Sequence, residues 1–505
     1  MGAPRSLEDS LREFVRNSPY AVVSLLLHAV VLLVMWGQSS PPVQLDHDRT
    51  LLVTADPDPP PMLEPEPPEP PPLEQLEELS DDPEVVDTPI AESTEALVDA
   101  PITPMPANTP SVIGPGTGTP NFGPRSGGPG TRKFIHRGDV VQANVEAALR
   151  WLMHHQNGAG YWSANAFDDE CFEQSDVVGE IACSGRGKPV YDVGVSGLSL
   201  LAFLGAGYTP SYGRYQQTVK RGMRWLIDQQ AENGNFADPR HNLHTYDHAI
   251  ATLAMIEASA MSGQGYRYRR SAQRGIDYLM SLKNAGGAWR YGDPGSDEML
   301  LNPSDVSVTG WVVMVLTLAR DLDYDVDPNA LDDAMVFIEE MTDPATGRTG
   351  YTSRGGRSAR APGANAFWPA EQSEAMTAVA MLCRSFADPE LRNPNNAALL
   401  DKGAELLVAR PIQWGASDDD IASRDFYYWY YASYALYQHG GRAWVRWQAG
   451  LEQIAQQQSQ TGEQRGSWDP SGDPWGSEGG RVYATAMLAL TLEVPYRYAV
   501  LANPK

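Results

Sequence analysis

One pattern recurs six times after residue 140 and leaves few folds open to the chain. Each unit has an amphipathic segment, then a loop with glycine and an aromatic residue, then a second and more apolar segment. The loop aromatics lie at positions 162, 236, 289, 351, 414 and 468, so the units are 74, 53, 62, 63 and 54 residues apart. A repeat of this length with two helices per unit predicts a stack or a ring of helix pairs.

The two segments of each unit differ in how much of their surface is apolar. The first has an apolar stripe opposite polar residues, which is typical of a helix with one face in water. The second is apolar or small nearly all round, as in 195–204 and 487–492. An open stack would leave inner helices partly in water. We therefore predict an all-α fold, an α6/α6 toroid of six helix pairs over residues 138–505.

The loops carry a motif that points to a known superfamily. The first loop reads Gln-x-x-x-Gly-x-Trp at Gln156, Gly160 and Trp162. Other loops keep the motif in part: Gln230, Gly234 and Phe236 in the second, Gly287 and Trp289 in the third, and Gly466 and Trp468 in the sixth. These loops resemble the repeats of the terpenoid-cyclase and protein-prenyltransferase superfamily, as in the C-terminal region of squalene cyclases. The resemblance implies the toroid fold for about 360 residues.

The resemblance also suggests a cyclase reaction, which the residues do not fully support. Squalene–hopene-type cyclases protonate their substrate with an Asp-x-Asp-Asp-Thr motif. The matching stretch here keeps Asp305 and Thr309 but lacks the other two acids. Substitute acids would be Asp418, Asp419 and Asp420, in the loop before the fifth inner helix. An isomerase or lyase of the triterpene-cyclase type with a displaced acid is therefore the alternative function, and whether the chain is an enzyme stays open.

The zinc chemistry of the protein prenyltransferases is not expected. In that family Asp, Cys and His hold the metal. Tyr428 stands where the resemblance would place the histidine, and none of the three cysteines stands at the cysteine position. We therefore predict that the chain binds no metal and no cofactor.

Acidic residues begin four of the predicted inner helices: Asp192, Asp247, Asp305 and Asp425. Their simplest role is to cap the free N–H groups of the helices. The alternative is that the inner-helix N-termini converge on one end of the ring, where these acids would form a ligand-binding rim.

Aromatic residues are unusually dense between positions 427 and 437, where seven of eleven residues are Tyr or Trp. Not all of them can face the core, so some would line a central cavity and hold an apolar isoprenoid or a peptide. The candidate ligand contacts are Trp311, Tyr427, Tyr428, Trp429 and Tyr431. Binding of such a ligand, without the standard cyclase or zinc prenyltransferase chemistry, is the leading function.

The three cysteines have different surroundings. Cys171 and Cys183 lie 12 residues apart in a polar insertion of the first unit, and in an oxidising compartment they would form a disulfide. Cys383 lies in an apolar helix and is predicted to be a buried free thiol.

A membrane anchor is predicted near the N-terminus. Residues 20–36 carry no formal charge, and no small-x-small cleavage site follows, so an uncleaved helix over 19–37 is favoured over a signal peptide. Arg5, Arg12 and Arg16 precede the helix, which places residues 1–18 in the cytoplasm. The chain would then be a single-pass protein of the inner (cytoplasmic) membrane, with the toroid in the periplasm.

The same region has two polar residues that suggest a membrane partner. Ser24 and His28 lie four residues apart, on one face of the predicted helix. With a Pro/Glu-rich stretch such as 57–72 behind it, this segment resembles the anchor and spacer of TonB-type energy transducers. In that family the Ser/His face contacts a proton-driven motor complex. The resemblance implies the same partner here, and an envelope scaffold coupled to that complex is a further alternative function.

Proline and charge separate the N-terminal part from the predicted toroid. Of 40 prolines, 22 lie between positions 41 and 129, so residues 38–137 are predicted to be a disordered linker. Residues 1–130 contain 5 Lys/Arg and 20 Asp/Glu, and residues 131–505 contain 33 and 44. Because neither part offers clustered cations, nucleic acid is excluded as a partner.

Overall fold

The structure is a computed structural model that describes residues 138–171, 183–241, 243–262, 265–291, 304–360, 364–389, 392–415 and 424–498. The predicted anchor with Ser24 and His28, the linker, and the acids Asp418, Asp419 and Asp420 lie outside these ranges. Inside them the chain is helical, and its only β-structure is two isolated bridges. None of the helices in these ranges has both the length and the apolar character needed to cross a membrane.

The helices of the described ranges alternate between an outer and an inner layer. In chain order they are α1 (Gly138–His154), α2 (Asp192–Gly205), α3 (Gln216–Gln229), α4 (His244–Met261), α5 (Gly265–Ser281), α6 (Val306–Asp321), α7 (Ala330–Met341), α8 (Ala375–Ala387), α9 (Pro394–Val408), α10 (Phe426–His439), α11 (Gly441–Trp447), α12 (Ala449–Gln456) and α13 (Gly476–Arg497). The inner layer consists of α2, α4, α6, α8, α10 and α13. Their residues are mostly buried, as the sequence pattern predicts.

The six inner helices form a closed ring. Each packs against the inner helix of the next unit, and α13 of the last unit packs against α2 of the first. The outer helices cover this ring: α3, α5, α7 and α9 each contact the two inner helices beside them, and α1 lies across α13 and α2. This closure is the arrangement of an α/α toroid.

The two glutamines of the loop motif connect the first unit to the second and the second unit to the third. The side-chain amide of Gln156 donates to the carbonyl of Gly160 at 2.7 Å and to that of Thr218 in α3 at 2.9 Å. Gln230 in the second loop donates in the same way to its own loop glycine and to a carbonyl in α5. One side chain therefore fixes its own loop and the following outer helix together.

The sixth loop closes the ring by the same contact. Gln458 donates to the carbonyl of Gly466 at 2.8 Å and to that of Asn144 in α1 at 2.7 Å. The sequence motif did not reveal this glutamine, because eight residues separate it from its glycine instead of four. The last unit is thus joined to the first by the contact that also joins the first unit to the second and the second to the third.

The glycines of these loops permit a close approach between backbones. Gly160 has φ 101°, and a Cβ there would lie 2.8 Å from the carbonyl oxygen of Arg221 in α3. Gly466 has φ 96°, and its Cβ would lie 2.3 Å from the carbonyl oxygen of Ala147 in α1. Only glycine adopts such a backbone at low cost and leaves the space that the next helix occupies.

A buried ion network joins α13 to two other inner helices. Arg497 pairs with Glu257 of α4 at 2.8 Å and with Glu493 at 3.4 Å, and it donates to the carbonyl of Leu201 in α2. The apolar pattern predicts that the sixth inner helix ends at Leu492, five residues before α13 does. The last turn of α13 carries the ion pair of Glu493 and Arg497, which interrupts the apolar pattern.

Candidate functional site

The N-termini of neighbouring inner helices meet at one end of the ring. Tyr246 of α4 donates to the hydroxyl of Ser307 in α6, and Tyr427 of α10 donates to the Ser307 carbonyl at 3.3 Å. Ser373, just before α8, donates to Asp425 at 2.9 Å. We call this end, where Asp192, Asp247, Asp305 and Asp425 lie, the N-terminal mouth.

Helix capping explains two of the four predicted rim acids. Asp305 accepts a hydrogen bond from the backbone N–H three residues on at 2.9 Å, and Asp425 does so at 3.0 Å. Asp192 instead accepts from the loop residues Ser163 and Ala164, and Asp247 lies inside the first turn of α4. Capping therefore does not explain Asp192 and Asp247.

Asp247 is a buried carboxyl with an unpaired oxygen. Its exposure is 4%, its Oδ2 has no hydrogen-bond partner, and this oxygen lies 3.9 Å from Nδ1 of His241, which also lacks one. Burial, with a smaller contribution from the charge of Asp192, raises the pKa of Asp247 well above its usual value. Its surroundings therefore favour the protonated form more than water does. An unsatisfied buried polar group costs about 1–3 kcal/mol, and such groups are concentrated at functional sites.

Asp192 complements this acid. Burial raises its pKa to about 6, while the hydrogen bonds from Ala164 and Ser163 act in the opposite direction. At pH 7 Asp192 is therefore mostly ionised, while the raised pKa of Asp247 favours its protonated form. A pair of carboxyls in different protonation states can serve as general base and general acid.

Asp305 is fully engaged by its neighbours. Ser307 and the N–H of Val308 donate to one carboxylate oxygen, and the Arg290 guanidinium lies 3.4 Å from the other. Burial raises the pKa of Asp305 to about 6 against the effect of these partners. With both oxygens in use, the residue stabilises the start of α6 rather than offering a free proton.

A cavity of about 490 Å³ opens beside the capping acids. Its lining includes Tyr351, Ser353, Arg357, Arg360 and Asn365. The Tyr351 hydroxyl accepts a hydrogen bond from Arg290, which pairs with Asp305 at the start of α6. The Arg360 guanidinium lies 3.1 Å from the carboxylate of Asp425, which caps α10. The cavity therefore belongs to the N-terminal mouth.

The two arginines of the cavity differ in how far they are neutralised. The side chain of Arg360 is 8% exposed and pairs with Asp425. The side chain of Arg357 is 66% exposed, and the nearest carboxylate oxygen, from Glu371, is 3.7 Å away and itself largely exposed. Arg357 is therefore a cation that a ligand can reach.

The aromatic candidates Trp311 and Tyr431 lie in the middle of the ring. The Trp311 ring of α6 stacks on Tyr430 of α10 with centroids 6.1 Å apart and meets Tyr431 edge-on at 5.7 Å. Because α8 separates these two helices in the ring, the contact crosses its centre. At this level aromatic side chains occupy the centre by packing on one another.

The other aromatic candidates divide between the centre and the outer layer. Tyr427 packs on Tyr431 with ring centroids 4.9 Å apart and lies near the mouth. Tyr428 donates to the carbonyl of Arg410, just after α9, at 2.8 Å, and Trp429 packs against Trp414. Tyr428 and Trp429 therefore lie between the two layers of helices.

The cysteines lie where the sequence suggests. Cys171 and Cys183 are bonded to each other, and Cys383 is a buried free thiol whose pKa is raised by burial.

The sequence did not mark Arg357 and Arg360 as site residues, and it marked Tyr351 only as a loop aromatic. His241, Tyr351, Arg357 and Arg360 come from loops without apolar periodicity. One signal was available: arginines recur every third residue at positions 354, 357 and 360 in an otherwise acidic chain.

No protein-family model and no curated protein matches the chain. Among solved structures, an unsaturated glucuronyl hydrolase specific for heparin matches with 12% identity and a TM-score of 0.48, covering 72% of this chain and 100% of that one. A protein from Actinoplanes matches with 14% identity and a TM-score of 0.42, covering 70% and 99%. At these values neither likeness carries an argument about activity, and the toroid description rests on the helix contacts above.

Proposed function

We propose that the toroid is a binding domain that takes a polar, peptide-like ligand with a carboxylate group at its N-terminal mouth. The observation that carries this proposal is the cavity of about 490 Å³ lined by Tyr351, Arg357 and Arg360. Its volume lies within the range of about 300–1,000 Å³ that is usual for ligand sites.

The lining of the cavity favours a peptide over an isoprenoid. Tyr351, Ser353 and Asn365 supply hydroxyl and amide groups that can donate to and accept from peptide groups. An isoprenoid would leave these groups without partners. The aromatic centre, where such a chain would be expected to bind, is occupied by the mutual packing of Trp311 and Tyr430.

Arg357 is the residue that would select the charge of the ligand. A guanidinium presents two parallel N–H donors to a carboxylate, which is a short and strong form of hydrogen bonding. Glu371 holds Arg357 only loosely, so a ligand carboxylate can replace it at little cost.

The proposal is tested with the full chain and a displayed library of random peptides. Selected sequences are expected to be enriched in Asp and Glu, and Arg357→Glu is expected to weaken their binding at least about tenfold. The matched control is Arg270→Glu, an exposed arginine on the outer helix α5, which should bind normally. Equal affinity of the Arg357→Glu variant and the parent for the selected peptides would overturn the proposal.

A second candidate, an acid–base enzyme, is favoured by the unpaired carboxyl of Asp247. This acid would take the place of the displaced acid in the cyclase-type alternative, with ionised Asp192 as the base. Native mass spectrometry of the full chain would identify retained ligands or products. Asp247→Asn should then abolish turnover of the recovered ligand and leave its Kd unchanged. Normal turnover by this variant would exclude Asp247 as the catalytic acid, and absence of any turnover by the parent chain would exclude the enzyme.

For the N-terminal region, we propose an inner-membrane anchor over residues 19–37 that holds the toroid in the periplasm. The uncharged run and the three arginines before it support this placement. Ser24 and His28 would contact a proton-driven motor complex, and the toroid would act on its ligand at the end of the linker.

A further inference from the structure

Three potential metal ligands form a cluster that takes no part in the cavity or the acid pair. His155 directly follows α1, and Cys171 and Cys183 flank the insertion of the first unit. The Nε2 atom of His155 lies 3.5 Å from the sulfur of Cys171 and 3.7 Å from that of Cys183. All three ligand atoms lie within 4.8 Å of one another.

The imidazole of His155 is held in the orientation of a metal ligand. Its Nδ1 lies 2.8 Å from the Trp151 carbonyl. Because a carbonyl can only accept, Nδ1 carries the hydrogen and the Nε2 lone pair faces the sulfurs. The ring stacks on the Trp151 indole at 4.0 Å and is 2% exposed. A hydrogen bond from the second ring nitrogen to a carbonyl is the usual way in which proteins orient metal-binding histidines.

The distances agree with tetrahedral zinc coordination. Zn–S bonds of about 2.3 Å and Zn–N bonds of about 2.0–2.1 Å place nitrogen and sulfur about 3.6 Å apart and two sulfurs about 3.8 Å apart. The distances from Nε2 of His155 to the two sulfurs, 3.5 and 3.7 Å, are already close to the value of about 3.6 Å expected between nitrogen and sulfur. Only the bonded sulfurs of Cys171 and Cys183 would have to separate.

We propose that His155, Cys171 and Cys183 bind one Zn²⁺ ion when the disulfide is reduced. The cluster would then hold either a disulfide or a zinc ion, depending on the redox state of the two cysteines. A dithiol reductant supplies two electrons and two protons to the two sulfurs and itself becomes a disulfide. Zn²⁺ then displaces both thiol protons and binds the two thiolates and the neutral imidazole. The site differs from the zinc site that the prenyltransferase resemblance would imply, where Tyr428 stands in place of the histidine.

Asp168 is the candidate for the fourth ligand. It lies three residues before Cys171, and its Oδ1 is buried without a hydrogen-bond partner while Oδ2 pairs with Arg186. Its carboxylate is not among the ligand atoms that lie within 4.8 Å of one another, so the Asp168 side chain would have to move to reach the ion. A carboxylate oxygen would complete an Asp-Cys₂-His set of ligands.

The test uses the full chain, first oxidised and then reduced with a phosphine. Co²⁺ is the probe, because thiolate bonds to tetrahedral Co²⁺ give charge-transfer and visible absorption bands. We expect one equivalent of Co²⁺ to bind the reduced chain and be displaced by Zn²⁺, and none to bind the oxidised chain. This comparison needs no substitution, so it does not depend on how a variant folds.

Variants then assign the ligands. Cys171→Ser should abolish the thiolate absorption, and His155→Gln should lower the Zn²⁺ affinity at least about tenfold. Cys383→Ala is the matched control, since this thiol is buried away from the pair, and it should bind as the parent does. Absence of thiolate absorption in the reduced parent, or an unchanged affinity in His155→Gln, would overturn the proposal. Neither result bears on the peptide cavity.

Discussion

Buried carboxyls at the N-terminal mouth differ in what their side chains contact, and this decides their roles. Asp305 and Asp425 cap helices, while Asp247 keeps an unpaired oxygen. The sequence predicts that acids begin these helices, because apolar segments that follow Asp are recognisable. It cannot separate the capping acids from the others, since that difference depends on loop residues such as Ser163 and Ala164 that fold back onto Asp192.

Asp473 provides a test of these buried acids at the level of one residue. It is 3% exposed and accepts hydrogen bonds from the backbone N–H groups of Phe426 and Trp475. Burial, and then the charge of Asp425, raise its pKa to about 8. The folded chain therefore holds a proton here that the unfolded chain releases near pH 4, so this group lowers stability as pH rises from about 4 to about 8.

Asp473→Asn should remove this pH dependence, because the amide does not ionise. Urea unfolding of parent and variant between pH 5 and pH 7 would show the stability of the variant, relative to the parent, increasing by up to about 1.4 kcal/mol per pH unit. The exposed Asp277→Asn on α5 is the control and should follow the parent. A constant difference between the Asp473→Asn and parent curves would contradict the raised pKa.

At the level of helices and loops, the repeat was predictable and the irregular parts were not. The apolar pattern distinguishes inner from outer helices because a helix buried on all sides is apolar all round, whereas a helix buried on one side has a single apolar face. The sequence did not reveal Gln458, because extra residues lie between it and its loop glycine. It did not reveal the end of α13, because ion pairs interrupt the apolar pattern there. The cavity around Arg357 lies in a loop whose shape depends on the helices below it, so no periodic signal marks it.

Gly466→Ala tests whether the loop glycines hold the units together. The substitution places a Cβ 2.3 Å from the Ala147 carbonyl at a φ of 96°, so both the backbone and the contact with α1 are strained. We expect a loss of about 2 kcal/mol or more in the free energy of unfolding. Gly158→Ala is the control, since nothing lies within 4 Å of its Cβ and its φ is not positive. Equal unfolding midpoints for the two variants would show that the contact does not matter.

On the scale of the whole molecule, closure of the ring depends on contacts between residues about 240 to 310 positions apart, such as Gln458 with Asn144 and Arg497 with Glu257. The sequence predicts closure only indirectly, from inner helices that are apolar on all sides. Which residues form these contacts cannot be predicted from one sequence, because no local pattern relates two polar residues at distant positions.

Arg497→Ala tests this closure. It leaves Glu257 and Glu493 buried without their cation, so we expect a loss of about 3–5 kcal/mol in the free energy of unfolding. Arg446→Ala, on the exposed side of α11, should change stability by less than about 0.5 kcal/mol. Chemical denaturation of the two variants measures the difference, and a loss below about 1 kcal/mol for Arg497→Ala would mean that the ion network does not hold α13 in the ring.

The proposed coupling to a membrane partner is a property of the full chain. If Ser24 and His28 form one face of the anchor and contact a motor complex, His28→Ala removes an imidazole that has few alternative partners in hydrocarbon. We expect the chain to remain in the membrane fraction while recovery of the motor subunits after gentle detergent extraction falls at least about tenfold. Leu26→Ala, two residues away and therefore on another face, is the matched control. Unchanged recovery with His28→Ala would remove the basis for the motor complex and leave the toroid proposals as they are.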